Sequence, residues 1–167
     1  QTTGVHISVS CLNQMIADFP SLVMFKHEDC PGLGKLSQII ETSKADDVRR
    51  VSILCGNGGL YLPQEMMRGA DGAMTGFAFP EMLVQVIDMF RADDNDAAED
   101  LFDAYLPLAR HEQQPGFGLA IRKETLRLRG AISTATTRKP GPTASTKDLE
   151  ELSRLMTRLE RRLEEMK

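Results

Sequence analysis

Three short apolar runs, each closed by turn residues, limit what this chain can become: Leu22–Lys26, Val51–Cys55 and Gly72–Thr75. Runs this short between prolines and glycines read as strands rather than helices. Ser21-Leu22-Val23-Met24-Phe25 shows no polar alternation, so its strand is expected to be buried on both faces, as in a parallel sheet. Helical patterns separate the runs. Leu12, Met15 and Ile16 give an apolar face to Val9–Phe19, which Pro20 ends. Pro31-Gly32 opens a second helix, with Leu33, Leu36, Ile39 and Ile40 at helical spacing. A short helix spans Pro63–Arg68, with Gly69 as its C-cap. Pro80 begins another, whose apolar face is Met82, Leu83, Val86, Ile87 and Phe90. Strands alternating with helices imply parallel pairing and right-handed crossovers, the unit of a barrel or a doubly wound sheet.

Beyond about Arg91 the pattern is helical, over Asp96–Gln113, Phe117–Gly130 and Lys147–Met166. Ser145 or Thr146 can cap the last of these, with Asp148 in its first turn. Its stripe of Leu149, Leu152, Leu155, Met156, Leu159, Leu163 and Met166 is expected to pack within its own domain rather than against another chain. The expected division is a partial barrel over 1–92 and a helical extension over 93–167.

Composition narrows the function. Hydrophobic residues form 41% of the 167, which fits a globular domain. A net charge of −4 with mixed signs argues against nucleic acid as a partner. No apolar stretch approaches the ~20 residues needed to span a bilayer, so no membrane partner is expected. Gln1–Ser10 lacks the basic start and apolar centre of a signal peptide. Cys11, Cys30 and Cys55 form no C-x-x-C pair, which suits a reducing, cytoplasmic setting.

In parallel α/β folds, ligands gather at the C-terminal ends of the strands. Three candidates stand there: Lys26, then Gly56-Asn57-Gly58-Gly59, then Thr75-Gly76-Phe77. Burial disfavours the charged form of an ammonium, and a neutral lysine attacks carbonyl carbon to give a Schiff base. The plainer alternative is that Lys26 pairs with Glu28, two residues on and on the same side of the strand. The glycines would allow close backbone approach to a ligand, or form only a tight turn. His27 points away from Lys26 and is read as a packing residue. His27, Glu28, Asp29 and Cys30 lack a metal-ligand spacing, and Asp93-Asp94-Asn95-Asp96 reads as a helix-capping loop, so no metal is expected. Arg122, Lys123, Arg127 and Arg129 are read as a solvated helix face.

S-L-V-M-F-K-H-E-D followed by P-G-L-G-K-L resembles the Schiff-base strand of the dihydrodipicolinate synthase / N-acetylneuraminate lyase family. V-S-I-L-C-G-N-G-G-L-Y-L-P and R-G-A-D-G-A-M-T-G-F-A-F-P-E follow in the family's order and spacing. The helical G-L-A-I-R-K-E-T-L-R-L-R-G, the later R-K-P-G-P and the opening T-T-G-V-H-I-S also fit. The resemblance implies an α/β fold, the C-terminal part of a (β/α)8 TIM barrel with an α-helical C-terminal extension. It implies class I aldolase or dehydratase chemistry on pyruvate or a 2-keto-3-deoxy sugar acid, without a cofactor. By position, Lys26 is the Schiff-base lysine, and Gly56, Asn57, Thr75 and Gly76 are substrate neighbours. The family's first strands, its carboxylate-binding loop and its proton-relaying tyrosine have no counterpart here; Tyr61 and Tyr105 do not stand at that position. An incomplete barrel leaves strand edges unpaired, so the chain is expected to form a homo-oligomer or to associate with the missing barrel half. The competing readings are a non-catalytic 2-oxo-acid-binding fragment, an assembly unit, and a flavodoxin-like sheet holding a phosphate at Gly56–Gly59.

Overall fold

The computed structural model describes residues 5–45 and 48–167. It divides into two compact units, Gln1–Thr75 and Gly76–Lys167. The T-T-G of the opening motif falls at residues 2–4, outside the described residues.

In the first unit the order is α1 (Val9–Asp18), β1 (Met24–His27), α2 (Leu33–Lys44), β2 (Ser52–Cys55), a 3-10 turn (Asn57–Gly59), α3 (Leu62–Met67) and β3 (Gly72–Ala73). The strands form one parallel sheet in the order β1-β2-β3. Lys26 pairs with Leu54 and His27 with Cys55, so the ends of β1 and β2 are level. Ser8 caps α1 by accepting the Cys11 N–H at 3.1 Å.

The core lies on one side of this sheet. Leu12 and Ile16 from α1, and Leu36, Ile39 and Ile40 from α2, close over Val51, Ile53 and Cys55. Each such aliphatic side chain contributes ~1.5–3 kcal/mol when taken fully out of water. Along β1, Met24 and Lys26 are exposed, Phe25 is half-buried and His27 is buried. Burial of the first strand on both faces is therefore corrected. Among the described residues, helices cover only the face bearing Phe25 and His27. The period of two in a strand leaves Met24 and Lys26 on the open one.

The second unit consists of α4 (Pro80–Arg91), α5 (Asn95–Glu112), α6 (Gly118–Leu128) and α7 (Thr146–Glu165). The longest, α5, packs against α4, α6 and α7. Asp93, at φ 63, makes the left-handed turn between α4 and α5. Asp94 occupies the N-cap of α5 without a side-chain hydrogen bond. Ser145 caps α7 in a reciprocal box with Asp148. The α7 stripe packs within its own unit as expected, with Leu152 and Leu159 buried.

The solvated reading of the α6 cations is also corrected. Arg122 pairs with buried Glu112 at 2.5 Å, and Glu112 accepts the Ala78 N–H at 3.0 Å. Arg129 pairs with Glu81, donates to the Ala78 carbonyl and lies 4.2 Å from the Phe79 ring centroid. Lys123 donates to the Thr136 carbonyl. The stretch from Gly76 to Phe79 has no helical or strand ladder, and at Ala78 Glu112 and Arg129 supply the backbone partners instead. Only Arg127, paired with Glu124 at 2.9 Å, keeps to the helix surface.

Candidate functional site

Lys26 is the third residue of β1, with its side chain on the open face and 42% exposed. Its Nζ lies 3.3 Å from Glu28 Oε2. Glu28 Oε1 in turn accepts the backbone N–H of Asn57 at 3.2 Å. One carboxylate therefore ties the lysine at the end of β1 to the glycine turn at the end of β2. The enclosed, dry setting expected for Lys26 is corrected: within this chain the amine is partly open to solvent and ion-paired. The reason is the single covered face of the sheet and the position of β1 at its edge.

Packing and backbone geometry select the residues of the turn. A Cβ on Gly56 would meet Glu28 Cδ at 2.7 Å, so a larger residue would displace that carboxylate. Asn57, at φ 51, occupies the left-handed region, where asparagine is tolerated far better than most residues. Its Nδ2 donates to the Asp29 carbonyl at 3.3 Å, which joins the turn to the loop after β1. Thr75 lies two residues beyond β3, half-buried, at the same end of the sheet. Gly76 opens the second unit, where the Arg122 guanidinium occupies the space a Cβ would need. Of the five expected site residues, Lys26 and Asn57 are joined through Glu28, and Gly56 lies against the same carboxylate.

His27 behaves as a packing residue. It is 1% exposed, its Nε2 lies 3.0 Å from the Gly32 carbonyl, and burial pushes its pKa down. Asp29 is ion-paired with Lys35, whose hydrogen bond holds its carboxyl below the usual range. Beneath the sheet, Cys55 and Glu65 form a buried pair that the sequence did not suggest. Burial pushes the Glu65 carboxyl up to about 7, while the hydrogen bond from Cys55 pulls the other way. Burial and the neighbouring carboxylate raise the Cys55 thiol to about 12, so it is no nucleophile. A glutamate in a short helix is normally solvated, and no spacing signalled this one. Among the described residues, no group of His, Cys, Asp and Glu could hold a metal ion. No described helix is long and apolar enough to cross a membrane.

The sequence matches the dihydrodipicolinate synthetase family over residues 1–159. The chain belongs to that family. The crystal structure of dihydrodipicolinate synthase from Rhodopseudomonas palustris has a TM-score of 0.91 to it, at 47% identity over 94% of this chain and 52% of that one. A prophage protein of the dihydrodipicolinic acid synthase family from E. coli K12, solved in complex with pyruvate, has a TM-score of 0.81 at 19% identity, covering 95% of this chain and 53% of that one. At that identity the likeness concerns the fold alone. A curated relative, the L-2-keto-3-deoxyarabonate dehydratase of Azospirillum brasilense, is 28% identical over 140 residues, 84% of this chain and 44% of its own length. The chain thus spans about half the length of these relatives. Its fold is part of the family's TIM barrel followed by a helical C-terminal part, as the resemblance implied. The flavodoxin-like alternative is set aside.

Proposed function

We propose that this chain carries the Schiff-base portion of a class I lyase or dehydratase acting on pyruvate or a 2-keto-3-deoxy sugar acid. Membership of the family and the dehydratase relative support this class of chemistry. The observation that carries the reading is the Lys26–Glu28–Asn57 network at the ends of adjacent parallel strands. That is where a barrel presents its reacting groups.

The attacking form of lysine is the neutral amine, and Glu28, at 3.3 Å, is positioned to relay the departing proton to solvent. The amine then adds to the 2-oxo carbon, water departs, and a protonated imine remains. This imine withdraws electrons from the adjacent carbon, which releases a proton to give an enamine. In a 2-keto-3-deoxy acid the enamine then expels the hydroxyl of the next carbon, which takes up the released proton and leaves as water, and a second water hydrolyses the remaining imine to free the lysine. Gly56, Asn57 and Thr75 are proposed as substrate contacts, and the expected contact at Gly76 belongs to the same proposal. No cofactor is required for these steps.

A second reading is a non-catalytic 2-oxo-acid-binding or assembly fragment, favoured by the 42% exposure of the lysine. Borohydride reduction of the chain with pyruvate, followed by peptide mass spectrometry, separates the two. A reduced adduct on Lys26 is expected. Saturable binding without any adduct overturns the catalytic reading in favour of the fragment.

A further inference from the structure

The carboxylate of Glu28 sits among three groups that suit a small anion. One is the Lys26 ammonium, 3.3 Å from Oε2. The second is the Asn57 N–H, which donates to Oε1 at 3.2 Å. The third is Gly56, whose lack of a side chain leaves the room: the atoms nearest to a Cβ there, at 2.7 to 2.9 Å, all belong to Glu28. Neither donor meets another acceptor among the described residues. A cation and a backbone N–H converging beside a glycine form a donor set that recognises a carboxylate.

The occupant is weakly held and open to competition. Lys26 and Glu28 are 42% and 52% exposed, and the bond to Asn57 also lies at the surface. An exposed ion pair contributes little and a single hydrogen bond only slightly more, so another carboxylate displaces this side chain at small cost. Leu54, the ladder partner of Lys26, shares its face of the sheet and is half-buried, which gives the seat an apolar neighbour.

We propose that Glu28 is a tethered stand-in for the carboxylate of a short-chain monocarboxylic acid, which binds between Lys26 and Asn57 once the side chain turns out to solvent. Where the acid is pyruvate, this rests on the function proposed above. A 2-oxo acid carries its carbonyl carbon one bond from the carboxylate, so an acid in this seat presents that carbon to the Lys26 amine. The displaced Glu28 is then free to carry the lysine proton outward. Until an acid arrives, the contact keeps both donors occupied.

Propionate, which has the carboxylate of pyruvate but no ketone, tests the seat apart from any imine chemistry. Its titration into the isotope-labelled full chain is followed by NMR at the Asn57 amide. A saturable shift in the millimolar range is expected, with half-saturation about tenfold lower in Glu28→Ala, the scale of one charge-assisted hydrogen bond. Glu28→Gln loses the charge but keeps a side chain beside Gly56, and should gain less than Glu28→Ala. Removing the lysine as well, in the double variant Lys26→Ala with Glu28→Ala, should abolish the gain. Both side chains lie at the surface, so the fold tolerates these substitutions. An Asn57 amide unmoved by propionate in both the parent chain and Glu28→Ala overturns the proposal. So does an equal gain in Glu28→Gln and Glu28→Ala, which would make Glu28 a repelling charge and nothing more, or a gain that survives without Lys26. Propionate reads the seat whether or not borohydride traps pyruvate on Lys26, so failure here and failure of the catalytic reading are told apart.

Discussion

Glu28 lies between a strand residue and the turn after the next strand: its Oε2 is 3.3 Å from Lys26 Nζ, and its Oε1 accepts the Asn57 N–H at 3.2 Å. If this carboxylate relays the lysine proton, Glu28→Gln keeps the hydrogen bond to the turn and loses the base. The expected result is a fall of about a hundredfold in the rate of borohydride-trapped adduct with pyruvate, the lower end of general-base effects. An unchanged trapping rate would show that the ion pair is a bystander. Lys26→Ala should form no adduct at all.

Glu65 makes stability depend on pH in an unusual direction. Its carboxyl is pushed from 4.5 up to about 7, so between those values the folded chain holds a proton that the unfolded chain has released. Its contribution is present below about pH 4.5 and is lost as pH rises through about 7. Glu65→Gln has no such loss and should be the more stable protein at pH 8 by about 3 kcal/mol, with little difference at pH 4.5. His27, pushed down by burial, acts with the opposite sign, losing its contribution as pH falls, but it is common to both proteins and cancels. Denaturant unfolding at the two pH values measures the difference. Parallel stability curves would show that Glu65 is not buried uncharged.

Arg122→Ala removes the partner of a glutamate that is 2% exposed. Breaking a buried pair costs ~3–5 kcal/mol. Arg122 is partly exposed and Glu112 can take up a proton, so the expected loss is nearer about 2–3 kcal/mol. Glu112→Gln retains the acceptor for the Ala78 N–H and should cost less than Arg122→Ala. Urea unfolding of the two variants gives the order, and the reverse order would show that the salt bridge matters less than the carboxylate's own desolvation.

Val23 and Met24, 65% and 43% exposed, lie in or beside β1 at the sheet edge. Exposed apolar side chains along an unpaired edge favour association. Sedimentation at micromolar concentration should therefore report a species heavier than the 18.5 kDa chain. A stable monomer at that mass would overturn the expected association.

Much of the fold was legible in the sequence because its signals are local. The strand runs, the helical spacing of Leu36, Ile39 and Ile40, and the capping pair Ser145 and Asp148 need only neighbouring residues to be read. The observed strands are shorter than the runs, Met24–His27 against Leu22–Lys26, because pairing rather than hydrophobicity sets where a ladder begins. Glu28 was visible as a partner for Lys26, since a strand repeats every second residue.

Tertiary structure alone decided three things. It left Lys26 on an uncovered face, because burial of a strand depends on which layers lie above it. It buried Glu65 against Cys55, a contact between a helix and a strand that no spacing encodes. It also turned Arg122 and Arg129 from a helix surface into the support of the stretch from Gly76 to Phe79. Sequence determines which elements a segment can form, through steric and hydrophobic periodicity. Whether a charge is solvated, paired or buried depends on residues far along the chain, and only packing brings them within reach.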